Sequence, residues 1–589
     1  MKNPIHQKIL WDRLISITNE QSAALIRTAF TPLLREAEDL SAGVFDGRAR
    51  MVAQSETGTP GHINSMATGV KHFLREYPPE RLDPGDVLIT NDPWYTSGHL
   101  NDLTVATPVF HRGKAVGFFA NTCHALDMSG RPLSADAHDV YEEGLYIPIM
   151  KLCRKGELNE DLVGIIKGNV REPAAVMGDL QAQIACNYVG ATRLVSLLEE
   201  FALDDLEEVS DIITGRTEEV LRQAIAALPD GDYSSETWAD GYDEAIRIRT
   251  RVTISGDELA VDFSGSSPES SRGINVVYNY TAAYTTFALK AAIAQDVPNN
   301  DGSFRPVRII IPEGTILSAR RPAPVAARAI LGHFVPGAVL RALSPILGER
   351  AMALGADSVW LTTLQGKRPP ASDFSYTFFV MGGTGARACK DGLSATGFPS
   401  GVAGCPVEVT ENLTPILFHK KELRPGSGGA GRFRGGLGQS LELAVASGAP
   451  YRFGVTCDRT KHVALGLDGG APGGAGTFAL DTGEVLNDKT SRVLDRDRRV
   501  YLDLPGGGGY GDPLDRSPEA VLRDAILGYI TPQEAAEVYG VAVRVSGSPD
   551  ELVRLEEDYR LDLGETRRLR QQMRLGQQIR QSTEGGEKR

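Results

Sequence analysis

The chain contains few cysteines, and their spacing forms no recognisable motif. Six cysteines are scattered over 589 residues, and no two of them form a Cys-x-x-Cys pair. This distribution indicates neither a disulfide framework nor a cysteine-type zinc site. If the protein binds a metal, histidine and carboxylate side chains have to supply the ligands.

Long apolar runs are also missing from the sequence. No stretch approaches the roughly 20 apolar residues that a membrane span needs. Residues 1–6 lack the apolar run of a signal peptide. We therefore expect no contact with a membrane and a location in the cytoplasm.

Positive charge is in deficit, because the formal net charge is −14. This balance argues against nucleic acid or an anionic membrane surface as the main partner. The phosphate-binding pattern Gly-x4-Gly-Lys-Ser/Thr does not occur. Residues 426–431 match Gly-x-Gly-x-x-Gly, but they follow Pro425 and no helix is predicted after them. We interpret these glycines as tight turns with positive φ, so the chain alone is not expected to bind ATP through a familiar motif.

The sequence predicts a mixed α/β (α+β) protein with several domains. Its length suggests about three or four domains, and apolar residues make up 41% of it, as in an ordinary globular protein. The predicted divisions are an N-terminal α/β domain with a metal site (1–205), a mixed α/β middle domain (206–374), a β-rich domain with glycine turns (375–515), a helical segment (516–559) and an exposed charged tail (560–589).

Two helices are predicted near the N-terminus from a 3.6-residue period of apolar residues. The first covers 4–34 and is limited by Pro32, and the second runs from 62 to about 76 with Ser65 as a possible cap. Near the C-terminus, residues 517–540 predict two short helices.

Short apolar runs predict strands at 87–90, 104–110 and 115–120, and the last two are expected to pair. The candidate site residues described next lie at the ends of these strands or in the loops between them. Rigid strands with polar groups on their loops are a usual arrangement for a functional site.

Histidines and carboxylates are concentrated beside these strands, although the chain has only ten histidines. His99 and Asp102 are three residues apart. His124 follows 25 residues after His99, one predicted strand pair away, and a hairpin-like return could bring it back beside His99. A carboxylate from 36–39 could complete the set. Nitrogen and oxygen ligands without sulfur suit a catalytic Zn²⁺, Mn²⁺ or Fe²⁺ ion.

A different interpretation stays open for each of these residues. The histidines could be hydrogen-bonded members of a packed loop. Asp92 and Asp127 could be helix caps, turn residues or acceptors that orient the imidazoles.

Several short motifs follow one another between about residues 4 and 540. They are Arg-Glu-Ala-Glu-Asp-Leu-Ser over 35–41, Gly-His-Ile-Asn-Ser-Met over 61–66, Asn-Asp-Pro at 91–93 through Gly-His at 98–99, Asn-Thr-Cys-His at 121–124 with Asp127, and the segments 261–266, 382–387, 425–438 and 504–513. Taken together, they resemble the hydantoinase B/oxoprolinase family.

The resemblance implies a metal site and a partner subunit. In this family the metal ligands would be His99, Asp102 and His124, with a fourth ligand from 36–39. We favour Asp39, with Glu36 as the rival and Glu38 still open. The partner would be an A-type ATPase subunit that binds ATP and Mg²⁺, in a hetero-oligomer such as A2B2.

The resemblance also implies an activity, the ATP-dependent ring opening of a hydantoin, oxoproline or lactam. The partner would phosphorylate the cyclic amide, and this chain would complete the hydrolysis with a metal-activated water whose proton Asp92 or Asp127 accepts. The alternative is a subunit of a ketone carboxylase of the acetone or acetophenone type, with bicarbonate as co-substrate. A third possibility is a subunit that only holds the ATPase. Residues 326–333 replace an Asn-rich run of the family and are expected to shape the substrate pocket.

Overall fold

A seven-stranded sheet forms the centre of the N-terminal region. The computed structural model describes residues 4–131, 133–368, 372–546 and 554–586. The strands of this sheet are β1 (Leu40–Asp46), β2 (Met51–Gln54), β3 (Val87–Thr90), β4 (Asp102–His111), β5 (Lys114–His124), β6 (Met150–Arg154) and β7 (Glu157–Leu158). They lie antiparallel in the order β2-β1-β5-β4-β3-β6-β7. The predicted pairing of 104–110 with 115–120 is confirmed.

A tight turn joins the two central strands. Arg112 and Gly113, between β4 and β5, both have positive φ, at 49° and 79°. Two-residue turns of this kind match the right-handed twist of antiparallel strands. The turn therefore helps to fix the register of β4 against β5, and this register determines which side chains meet at the far end of the pair.

Helices cover both faces of this sheet. They are α1 (Pro4–Thr28), α2 (Pro32–Arg35), α3 (Pro60–Glu76), α4 (Glu160–Asn169), α5 (Pro173–Glu200) and α6 (Glu207–Ala226). Apolar residues of α1, α5 and α6 pack with Val44 and Phe119 on one face. The helix α3 packs with Phe45 and Phe118 on the other. Successive strand residues point to opposite faces, so both faces are apolar and buried.

Two details of the helix predictions are wrong. The first helix ends at Thr28, and Pro32 begins the separate helix α2. Proline has no N–H to donate and is well suited to a first helical position. Ser65 is no cap, because it lies inside α3, where its hydroxyl donates to the Gly61 carbonyl at 2.6 Å.

The middle region combines a smaller sheet with two long helices. Its elements are β8 (Gly231–Ala239), β9 (Ile246–Ser255), β10 (Glu258–Asp262), α7 (Tyr278–Ile293), β11 (Val307–Ile310), α8 (Ala329–Gly332) and α9 (Phe334–Leu347). The sheet order is β11-β10-β9-β8, and only the β10–β11 pair is parallel. The helices α7 and α9 share one apolar core with this sheet.

No apolar run long enough to span a membrane is expected from the sequence, but the helical stretch Ala329–Arg350 is long and apolar enough by length and composition. An 18-residue window within its 22 residues has a mean hydropathy of 1.5. However, 78% of that window is buried inside the protein. Burial of this extent is what the core helix of a folded domain shows.

Two four-stranded sheets follow and pack face to face. Their elements are β12 (Trp360–Arg368), β13 (Ser372–Val380), α10 (Val407–Leu413), β14 (Ile416–Leu423), β15 (Gln439–Val445), β16 (Tyr451–Val455), β17 (Thr477–Leu480), β18 (Arg492–Leu494) and β19 (Val500–Asp503). The sheet orders are β13-β12-β16-β18 and β14-β15-β19-β17. Side chains from both sheets form a shared core, so the fold here is a sandwich. The predicted boundary at residue 374 falls within β13.

The glycine-rich segments pack backbone against backbone beside the sandwich. The N–H of Gly436 donates to the Thr384 carbonyl, that of Gly507 to the Gly436 carbonyl, and that of Gly429 to the Gly507 carbonyl, each at 2.8–2.9 Å. A Cβ atom on Gly507 would lie 1.9 Å from the Thr384 carbonyl oxygen. Within 426–431, 435–438 and 506–509, only Gly426 has a positive φ. The interpretation as turns with positive φ is therefore wrong for most of them, since close backbone approach requires these glycines.

The C-terminal part contains the two predicted short helices and also two strands that the sequence did not predict. It contains α11 (Pro518–Ile526), α12 (Pro532–Tyr539), β20 (Ala542–Val545), β21 (Tyr559–Asp562) and α13 (Leu563–Gly586). Thr531 caps α12 reciprocally with Glu534. The predicted helix in the charged tail corresponds to α13, and the tail predicted to fray extends to 587–589, which lie outside the described residues.

Replacing Gly190 by alanine tests the packing of α5 on the sheet. A Cβ atom there would lie 2.4 Å from the buried Phe119 ring, so we expect G190A to lower the free energy of unfolding by about 1–3 kcal/mol. In G215A, a matched change in α6, the new atom meets nothing within 4 Å. The free energy of unfolding of this control should rise by up to about 1 kcal/mol, because alanine has a higher helix propensity than glycine. Urea unfolding measures the stability of both variants, and equal stabilities would contradict the close packing of α5 on Phe119.

Candidate metal site

Strand register brings the predicted ligands together at one edge of the seven-stranded sheet. Asp102, the first residue of β4, pairs directly with His124, the last residue of β5. Asp39 lies immediately before β1, and its carbonyl accepts from the His124 N–H at 3.2 Å. Directly opposed residues of antiparallel strands point to the same face. This is how residues separated by 22 positions come into contact.

His99 completes the group from the loop before β4. Its Nε2 lies 2.7 Å from Oδ1 of Asp102, and Nδ1 of His124 lies 3.1 Å from the same oxygen. One possible ligand atom from each of these three residues lies within 4.8 Å of the other two, and all three residues are buried. The predicted convergence of His99, Asp102 and His124 is therefore present in the structure.

Of the three candidate carboxylates before β1, Asp39 is the one beside the imidazoles. Its oxygens lie 3.8 Å from Nδ1 of His124 and 3.7 Å from Nδ1 of His62, and it accepts from the Thr59 hydroxyl at 3.1 Å. Glu36 instead accepts from Nε of Arg35 at 3.1 Å. Glu38 is the turn residue between them, with a φ of 54°.

His62 also belongs to the cluster, although the sequence analysis did not select it as a site residue. It lies in the first turn of α3, and its Nε2 is 3.0 Å from Oδ2 of Asp102. Burial would lower the pKa of His62, but the carboxylates of Asp102 and Asp39 raise it overall. The available signal was its place in the motif at 61–66, but only tertiary packing shows that α3 points this residue at the sheet edge.

Arg328 supplies a buried positive charge that sequence reasoning also missed. The residue is 3% exposed, its guanidinium contacts Oδ2 of Asp102 and the Ser97 carbonyl, and it stacks on the Tyr280 ring at 3.9 Å. Burial would raise the pKa of Asp102, but His62, His99 and Arg328 hold it well below its usual value. Two carboxylates, Asp39 and Asp102, thus lie beside one guanidinium and beside His62, whose pKa they raise.

The hydrogen bonds of His99 fit a bound metal ion. Its Nδ1 lies 2.9 Å from the Ala326 carbonyl oxygen, which can only accept, so Nδ1 carries the proton. Burial, followed by the charge of Arg328, lowers the pKa of His99 to about 4. The unprotonated Nε2 therefore faces a carboxylate oxygen at 2.7 Å, and it has no hydrogen-bond partner among the described residues. A divalent cation between these atoms would replace their repulsion by coordination.

Glu143 fixes the backbone that orients His99. Its Oε1 accepts from the N–H groups of Val325 and Ala326 at 2.6 and 2.7 Å. Burial raises the pKa of this carboxyl group to about 8. These bonds hold the segment whose Ala326 carbonyl accepts the hydrogen bond from Nδ1 of His99.

Asp92 and Asp127, predicted to act as proton acceptors, are each engaged in an ion pair. Asp92 accepts from Arg321 at 2.6 Å and from the Tyr146 hydroxyl at 2.9 Å. Asp127 accepts from Arg171 at 2.6 Å. Asp127 does line a small polar cavity of about 10 Å³ that His124 also lines. Their proposed catalytic role stays a prediction.

Comparison with known proteins agrees with these features. The family model described as hydantoinase B/oxoprolinase matches residues 3–513. The B subunit of a putative D-/L-hydantoinase from Pseudomonas sp. (strain NS671) is 31% identical over 577 residues, which cover 93% of this chain and 96% of that protein.

Two solved structures share the fold. The crystal structure of ATP-dependent caprolactamase from Pseudomonas jessenii superposes with a TM-score of 0.86 at 27% identity, over 96% of this chain and 99% of that one. The nucleotide-free structure of acetone carboxylase gives a TM-score of 0.85 at 20% identity, over 98% and 84%, and at this identity the likeness concerns the fold alone. The predicted mixed α/β multidomain fold and the predicted family are both confirmed, and the chain belongs to the hydantoinase B/oxoprolinase family.

Proposed function

We propose that this chain is the B-type subunit of an ATP-dependent cyclic amide hydrolase that opens a hydantoin, oxoproline or lactam ring. The observation that carries the proposal is the buried group of His99, Asp102 and His124, with Asp39 beside it, at a cavity in a chain of this family. Relatives named as a hydantoinase subunit and a caprolactamase support the cyclic amide as substrate.

A metal ion fits this chemistry. A cyclic amide is a poor electrophile, and phosphorylation of its oxygen supplies a leaving group. A divalent ion (Zn²⁺, Mn²⁺ or Fe²⁺) would supply Lewis acid chemistry when bound. The proposed ligands are His99, Asp102, His124 and Asp39, while Glu36 is set aside because its carboxylate pairs with Arg35. Arg328 balances part of the charge, and Glu143 and the Ala326 carbonyl hold His99 in orientation.

An A-type ATPase subunit is the proposed partner. The sequence has no Gly-x4-Gly-Lys-Ser/Thr phosphate loop, and a relative of nearly equal length is named as one subunit of a putative hydantoinase. ATP and Mg²⁺ would bind to the partner, in a hetero-oligomer such as A2B2, and a cytoplasmic location would give access to ATP.

The second candidate function is that of a ketone carboxylase subunit that uses bicarbonate. The observation in its favour is the fold shared with acetone carboxylase. The same metal ligands and the same ATPase partner would serve it, so product chemistry has to separate the two functions.

Metal content tests the proposed ligands. H99A, H124A and D102N each remove one ligand, and we expect the affinity for the divalent ion to fall at least about ten-fold, since even changes beyond the ligands cost 10–100-fold. Elemental analysis of the purified chains measures retention. The control is H138A, which removes an imidazole that is 57% exposed. Full metal content in H99A and H124A would contradict the assignment. If these variants still bind the A-type partner and keep the activity of the complex, that result would instead support a subunit that only holds the ATPase.

Product analysis separates the two candidate functions. With a purified A-type partner, ATP and Mg²⁺, we expect hydantoin, 5-oxoproline or a lactam to give the ring-opened acid, detected by mass spectrometry. Removing the divalent ion with a chelator should abolish the product, and adding it back should restore it. A keto acid formed from acetone or acetophenone and labelled bicarbonate, without ring opening of any cyclic amide, would establish the second candidate instead.

The isolated chain is expected to hydrolyse no ATP. The proposed division of labour places the nucleotide on the partner, so phosphate release should begin only when the A-type subunit is added. A coupled phosphate assay measures this. If ATP hydrolysis co-purifies with the isolated chain through two different columns, this result would contradict the proposed division of labour between the two subunits.

A further inference from the structure

A cavity lies over the proposed metal ligands, and its lining has a polar side and an apolar side. Asp39, His62, His99 and His124 line it from the N-terminal region. Leu361, Phe379, Val359 and Val402 line it from the sandwich and the loops beside it. The cavity therefore presents one polar side and one apolar side. The cavity volume of about 50 Å³ corresponds to a few water molecules.

The apolar part of the lining is a local feature of its sheet. Along β12, Trp360 and Leu364 point into the sandwich core, so Leu361 and Thr363 point the other way. The outward cross-strand pairs are Leu361 with Phe379, then Thr363 with Thr377, then Gln365 with Ser375. The two pairs formed by Thr363 and Gln365 are polar and line the smaller cavity. The pair of Leu361 with Phe379 is apolar and lines the cavity over the proposed metal ligands.

In the described part of the cavity lining, the side chains that could offer a substrate positive charge are already engaged. Nε2 of His62 lies 3.0 Å from Oδ2 of Asp102. Arg328 is the only lysine or arginine among the described residues that line the cavity. The guanidinium already contacts Asp102 and the Ser97 carbonyl and is stacked on Tyr280. A carboxylate carried on the ring carbons would lie against the apolar wall that includes Leu361 and Phe379, where no described side chain pairs with it. Burial of an unpaired charge is strongly unfavourable.

We propose that this site selects cyclic amides whose ring carbons carry no ionised substituent, and that the pair Leu361–Phe379 enforces this choice. The inference rests on the proposed function and narrows its substrate from three classes to two, lactams and hydantoins with hydrogen or alkyl substituents. The reacting amide would lie towards the histidines, and the ring carbons would lie against the wall. 5-Oxoproline, which carries a carboxylate beside the ring nitrogen, is excluded.

A series of three ligands isolates the effect of the charge. 2-Pyrrolidinone, 5-oxoproline and 5-oxoprolinamide share one lactam ring, and only 5-oxoproline is ionised. With the wild-type chain, its A-type partner, ATP and Mg²⁺, we expect kcat/KM for the two neutral compounds to exceed that for 5-oxoproline by about ten-fold or more, because the site leaves the charge unpaired. Saturation-transfer NMR on the assembled complex without ATP should give the same order for binding.

Substitutions in this chain show whether the wall is responsible, since the same preparation of the A-type subunit is used throughout. L361K places an ammonium group at the wall, and the specificity ratio between 5-oxoproline and 2-pyrrolidinone should rise at least about ten-fold in favour of 5-oxoproline. L361Q removes the apolar side chain without adding charge and should bring no gain for 5-oxoproline. The matched control is L417K, on the exposed surface of β14, which should keep the wild-type ratio.

The outcomes separate this inference from the proposed function. Ring opening with a preference for 5-oxoproline over both neutral compounds, or an unchanged ratio in a folded L361K, overturns the inference and leaves the function standing. Failure to open any cyclic amide overturns both. If L361K does not fold, the ligand series on the wild-type chain decides alone.

Discussion

The antiparallel register of β4 against β5 is the constraint on which the site depends. It sets Asp102 opposite His124, and the pairing of β1 with β5 brings Asp39 alongside. A shift of one residue in either pair would send one of these side chains to the opposite face of the sheet. Both faces are buried beneath helices, so the apolar residues that form the core also fix the positions of the proposed ligands.

The rest of the site comes from regions that are distant in the sequence, and each adds a different property. The helix α3 adds His62, and the segment before α8 adds Arg328 and the carbonyl that fixes the proton of His99. The sandwich adds the apolar wall with Leu361 and Phe379. In the proposed function, reactivity, charge balance and selectivity would therefore be supplied by separate parts of the chain, and substitutions in the wall would change the substrate without disturbing the ligands.

The sequence predicts those features that depend on local pattern. Short apolar runs predict β4 and β5, and the clustering of His99, Asp102 and His124 near their ends indicates the candidate ligands. His62 and Arg328 could not be found in this way, because their roles follow from how a helix and a remote loop pack against the sheet edge. The glycine-rich segments show the same limit. Their composition indicates a special backbone requirement, but only the structure shows that it is close backbone approach, as at Gly507, and not positive φ.

The proposed function requires a single cation held by two imidazoles and two carboxylates. The most direct measurement is an anomalous difference map from a crystal of the metal-loaded protein, recorded on both sides of the absorption edge of the metal. We predict one peak within coordination distance of His99, His124 and Asp102, with Asp39 beside it. A map without a peak there, or with the imidazole nitrogens turned away from a common point, would contradict the account.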